Sequence, residues 1–89
     1  MKFIVHWTQG QDHYRESIDK FKKTGGQLPA GATLLGRWWG VNGQGGAVVE
    51  TDDATAMFEA VAEWGEFLTF DITPAVEDAE AAAVLAKLF

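Results

Sequence analysis

The sequence predicts an α+β domain in which four antiparallel strands form one sheet and helices cover one of its faces. Three observations predict it. Lys2–Thr8 and Glu66–Val76 alternate in the way of strands with one buried face. Thr33–Thr51 (TLLGRWWGVNGQGGAVVET) holds two apolar runs around a glycine-rich bend, which reads as a β-hairpin. Between and after these lie segments whose apolar residues recur three or four apart, the spacing of one helix face.

In the first strand, Phe3, Val5 and Trp7 share one face, and Ile4, His6 and Thr8 share the other. Gln9-Gly10-Gln11 breaks it, and Asp12 fits an N-cap whose carboxylate accepts from the first turn's free N–H groups. Tyr14, Ile18 and Phe21 mark a helix up to Lys23, supported by the i, i+4 pair Glu16 and Lys20. Gly25-Gly26 supplies its left-handed stop. The loop Gln27–Ala32, with Leu28 tucked beneath it, leads into the hairpin. A two-residue turn at Gly43-Gln44 sets Arg37 opposite Glu50.

Asp52 and Asp53 offer a second N-cap, before a helix over Ala54–Trp64. Its apolar stripe is Ala54, Phe58 or Met57, Val61 and Trp64. In Glu66–Val76, Leu68, Phe70 and Ile72 alternate with Phe67, Thr69, Asp71 and Thr73. Pro74 has no N–H to donate and marks a strand end or an edge. A third helix, Glu77–Leu88, starts acidic and continues alanine-rich, with Ala81, Val84 or Leu85, and Leu88 on one face.

The order βαββαβ plus a terminal helix is that of a ferredoxin-like sandwich, with residues 1–89 as a single domain. Its helices take the face of Phe3, Val5, Trp7, Leu68, Phe70 and Ile72. The other face carries Ile4, His6, Thr8, Phe67, Thr69, Asp71 and Thr73, too apolar for free exposure and too polar for a plain core. Such a face suits a homodimer seam, closing a dimeric α/β barrel, or a ligand cavity. A chain this short buries only roughly 60 % of its unfolded surface, which is a further reason to pair.

Composition excludes several classes. The net charge of −6, with Lys20, Lys22 and Lys23 as the one basic cluster, argues against nucleic acid and anionic membranes as partners. With no cysteine there is no disulfide, thiolate zinc site or cysteine nucleophile. No stretch approaches the ~20 apolar residues of a membrane span. The N-terminus MKFIVHWTQGQD is too short and polar in its apolar part for a signal peptide. A soluble, cytoplasmic protein is expected. Gly40, Gly43, Gly45 and Gly46 are flanked by strands, whereas a phosphate loop needs a helix N-terminus after it. No cofactor is expected.

The segments FIVHWT, KTGGQLPAGATLLGRWW, VVETDD and EWGEFLTFDITPAVEDAEAA together resemble an uncharacterised family of small bacterial domains of unknown function. The resemblance covers nearly the whole chain. That family is similar in architecture to the dimeric α/β-barrel group, which includes antibiotic-biosynthesis and haem-degrading monooxygenases. The resemblance implies a homodimer joined sheet face to sheet face, and it implies no activity. The haem-degrading pattern of Asn, Trp and His is not matched, since the one asparagine, Asn42, sits in the hairpin bend.

The candidate site residues are His6, Arg37, Trp39, Glu50, Thr69 and Asp71. His6 can serve as a general base oriented by Asp71, or as a hydrogen-bonded residue in a dimer seam. Arg37 either pairs with Glu50 across the hairpin or holds a ligand carboxylate in its planar fork. Trp38 and Trp39 point to opposite faces. The reading places Trp38 in the core, and Arg37 and Trp39 on the open face with His6 and Thr69. His6, Glu50 and Asp71 come from different strands without metal-ligand spacing, so no metal is expected. The leading expectation is a small, partly aromatic ligand in a cavity on that face. A cofactor-independent monooxygenase or isomerase-like enzyme, and a structural or regulatory oligomer without ligand, are the alternatives.

Overall fold

In the computed structural model, strand β1 (Lys2–Gln9) runs between β3 (Gly45–Glu50) and β4 (Leu68–Ala75), and β2 (Thr33–Trp39) lies beyond β3. The structure describes residues 1–89, the side chain of Gln11 excepted. All three strand pairings are antiparallel. Helices α1 (Tyr14–Thr24) and α2 (Ala54–Trp64) follow β1 and β3, and α3 (Asp78–Leu88) ends the chain. The α+β class and the ferredoxin-like order of elements are as expected. No described helix is long and apolar enough to cross a membrane.

The core lies between the sheet and the first two helices. Val5, Ala47 and Val49 are buried there, with Phe3, Trp7, Leu28, Met57, Phe70 and Ile72 packed around them. The apolar faces of β1 and β4 are therefore the ones that the alternation indicated. Pro74 sits opposite Phe3 on β4, an edge strand, where a missing N–H costs no interior ladder bond.

The hairpin departs from expectation in two ways. Its loop is five residues long, because Trp39 pairs with Gly45. Gly40 N–H donates to the Gln44 carbonyl at 2.6 Å, and Gly43 takes φ 84°, a left-handed conformation natural only to glycine. Beyond it the register shifts between Leu34 and Gly36, so that Leu35 is an extra residue in β2. Arg37 consequently faces Ala47, and Glu50 faces Thr33 and Lys2. The expected Arg37–Glu50 pair does not form. The faces of Trp38 and Trp39 are also reversed: Trp39 and Arg37 look toward the helices, and Trp38 lies on the open face.

Helix starts differ in detail. A 3-10 turn, Gln11–His13, precedes α1, and His13 rather than Asp12 holds the cap position without a side-chain bond. Gly25 ends α1 at φ 71°, its N–H donating to the Phe21 carbonyl at 2.7 Å. Asp53 caps α2, accepting from Thr55 N–H at 2.9 Å. The buried Thr51 donates its hydroxyl to the Gly31 carbonyl at 2.7 Å and accepts from Asp53 N–H, tying the entry of α2 to the loop before β2. On α2, Met57, Ala60, Val61 and Trp64 look inward, while Phe58 is exposed. Phe67 falls in the turn before β4, against the His13 ring, and not on the open sheet face.

Helix α3 stands apart. A capping box of Glu77 and Glu80 starts it, and Lys2 Nζ meets Glu77 at 2.9 Å. No residue of it is buried, and Val84, Leu85 and Leu88 are each more than half exposed. The molecule is correspondingly long, 49 × 29 × 17 Å.

Candidate functional site

The pleat sorts the candidate residues into rows across the sheet. On the open face one row runs Trp38, Gly46, His6, Asp71 over the four strands. Thr8 and Thr69 pair beside it on one side, and Gly36, Val48, Ile4 and Thr73 form the next row on the other. His6, Thr69 and Asp71 are thus brought together, all exposed. Glu50 shares this face but pairs with Lys2, about 13 Å along the strand from His6 at ~3.3 Å per residue. Trp38 supplies the indole that was expected from Trp39, and its ring covers Gly36, where a Cβ would come within 2.6 Å of Trp38 Cη2.

On the helix face the matching rows are Trp39, Gly45, Trp7, Phe70 and then Arg37, Ala47, Val5, Ile72. Here the chain forms a half-open pocket of about 110 Å³ between the sheet and α1 and α2. Its wall is apolar except for Gln9, Ser17 and Arg37. Gln9 Nε2 donates to the Ser17 hydroxyl, which donates in turn to the Tyr14 carbonyl at 3.1 Å. Both polar groups are satisfied by the protein. Trp39 meets Phe21 edge-on at 4.9 Å between ring centroids and Trp7 at 6.5 Å.

Arg37 sits at one end of this cavity, half-buried. Nη2 donates to the Gly26 carbonyl at 2.5 Å, and the guanidinium lies 5.3 Å from the Phe21 ring centre. Gly26 must be glycine: φ is 62°, and a Cβ would press on both Phe21 and Arg37. No carboxylate forms an ion pair with Arg37 among the described residues. Burial pulls its pKa down, and no neighbouring charge offsets that.

The family model described as a domain of unknown function, DUF3303, matches residues 1–89. The chain belongs to that family. No curated protein matches it. For this DUF3303 domain the candidate residues therefore divide over two separate places: an open face with His6, Thr69 and Asp71, and a half-open pocket with Arg37 and Trp39. Gln9, Ser17, Phe21 and Gly26 belong to the second place and were not anticipated. Gln9 was detectable, because it continues the buried parity of Phe3, Val5 and Trp7 with a polar side chain.

Proposed function

We propose that this domain works as a cytoplasmic homodimer that binds a small, partly aromatic molecule. The observation that carries the pairing is surface the chain leaves uncovered. Its accessible area is 6393 Å², against about 5,100 Å² for a compact 9.7 kDa monomer. The excess of roughly 1,300 Å² is more than the ~800 Å² per partner of a standard stable interface. The radius of gyration of 15.0 Å also exceeds the ~12 Å of a compact chain of this length. The excess is apolar in part: Ile4, Leu35 and Trp38 on β1 and β2, and Val84, Leu85 and Leu88 on α3. A second copy laid on the open face covers Ile4 and Trp38 and makes the assembly similar to the dimeric α/β-barrel group. The ligand-binding half of the reading is supported by the cavity, whose walls are aromatic and whose polar groups are few.

Sedimentation equilibrium tests the pairing. A dimer at micromolar concentration is expected, reduced to monomer by Ile4→Glu with Trp38→Glu. A wild-type monomer at that concentration sinks the proposal.

One observation favours the enzymatic alternative: His6 stands directly opposite Asp71. A base and its orienting carboxylate need such proximity. On that reading His6→Ala and Asp71→Asn abolish turnover of an identified substrate without loss of folding; unchanged turnover removes both roles.

A further inference from the structure

Arg37 is half-buried at a place where, among the described residues, no acidic side chain pairs with it, although the chain has 13 Asp and Glu. A guanidinium offers five N–H donors. Arg37 uses one on the Gly26 carbonyl. Its plane is held by that bond and by the Phe21 ring, so the fork is oriented before anything binds. Desolvation without a counter-charge is costly, and an incoming carboxylate removes that cost while accepting two parallel bonds.

The position of Arg37 matters as much as its charge. Gly26, Leu28, Leu34 and Arg37 line both the half-open pocket and a depression on the surface beside it. The guanidinium therefore stands between solvent and an apolar interior. An apolar cavity of about 150 Å³ is known to hold benzene. The 110 Å³ here suits one ring or a branched alkyl group as the part of a ligand that enters the pocket.

We infer that the cavity and Arg37 together form a site for small monocarboxylates with a single-ring or branched-alkyl body. The body lies between Trp7, Trp39 and Met57, and the carboxylate meets the free edge of the Arg37 fork. This rests on the ligand-binding reading above and gives it a location and a ligand class.

Sodium benzoate and its uncharged isostere benzamide are titrated into the wild-type protein at neutral pH and low salt, followed by calorimetry and by amide and indole NMR shifts. Benzoate is expected to bind at least about tenfold more tightly than benzamide, with shifts at Gly26, Phe21 and the Trp39 indole. Arg37→Gln removes the charge and the fork, and is expected to erase the difference while leaving the circular dichroism unchanged. Equal binding of the two compounds to the wild type overturns the carboxylate assignment and leaves small-molecule binding standing. Shifts confined to His6 and Trp38 overturn the location. Binding of neither compound overturns this inference together with the ligand-binding reading, and the dimer is judged separately by sedimentation.

Discussion

The indole of Trp7 lies over the backbone of Gly45, its directly opposite neighbour on β3. A Cβ at Gly45 would overlap Trp7 Cζ2 and Cε2 and stand 2.9 Å from the Trp38 carbonyl oxygen. Neither can retreat cheaply, since Trp7 is packed against the core and the carbonyl is backbone. Gly45→Ala is expected to destabilise the fold by about 1–3 kcal/mol, the range for overpacking a filled site. Gly10→Ala, with open space around it and no positive φ, is expected to stay within about 0.5 kcal/mol of wild type. Urea unfolding of the pair checks this; equal midpoints would mean that the glycine is not a seat for the ring.

Arg37 and Glu50 lie on opposite faces, so their charges should be uncoupled. A double-mutant cycle with Arg37→Gln and Glu50→Gln is expected to give no interaction energy. The cycle on Lys2 and Glu50, 3.7 Å apart, is expected to give a small favourable coupling that salt weakens, as for an exposed pair. A clear Arg37–Glu50 coupling would restore the two-residue turn.

This pair shows where the sequence stops being informative. Strands β1 and β4 were legible because each has one wholly apolar face, and a pleat of period two then leaves a single orientation. The grouping of His6, Thr69 and Asp71 followed from that. In β2 the adjacent Trp38 and Trp39 satisfy either parity equally well. Only loop length and the extra Leu35 decide between them, and a run of glycines specifies neither. A shift of three residues in register, from Glu50 to Ala47 opposite Arg37, moved Arg37 and Trp39 from the open face to the cavity, and so divided the expected site in two. The Arg37–Gly26 bond joins residues 11 apart; the Gly25-Gly26 stop announces the turn there but not the side chain that meets it.

Trp38 and Trp39 should respond oppositely to truncation. Trp39→Ala removes the edge contacts with Phe21 and Trp7 and is expected to cost about 1–3 kcal/mol of folding stability. Trp38→Ala, on the open face, is expected to change the stability of the dilute chain little and to weaken dimer association instead. Denaturation under dilute conditions and sedimentation at higher concentration separate the two effects. A larger folding loss for Trp38→Ala would contradict the register.

Lys2 links β1 to the start of α3, and its ammonium reports on that junction. The hydrogen bond to Glu77 is the main cause that raises its pKa, with desolvation opposing and the charges of Glu77 and Glu50 adding to it. A raised pKa means that the folded protein holds this proton more tightly than the unfolded chain, whose lysine titrates near 10.4. The stabilisation is therefore whole below about pH 10.4 and is lost as the pH climbs through the higher folded value. Following the Lys2 Cε resonance against pH is expected to place its midpoint above that of an unfolded lysine, and Glu77→Gln is expected to bring it down. In the same variant the backbone of Asp78–Ala81 should relax faster on the nanosecond scale, because the first turn of α3 has lost its tie to the sheet. A midpoint that ignores Glu77→Gln would mean that Glu50 and Glu80 hold the lysine without Glu77 and that α3 is anchored by something other than the Lys2–Glu77 pair.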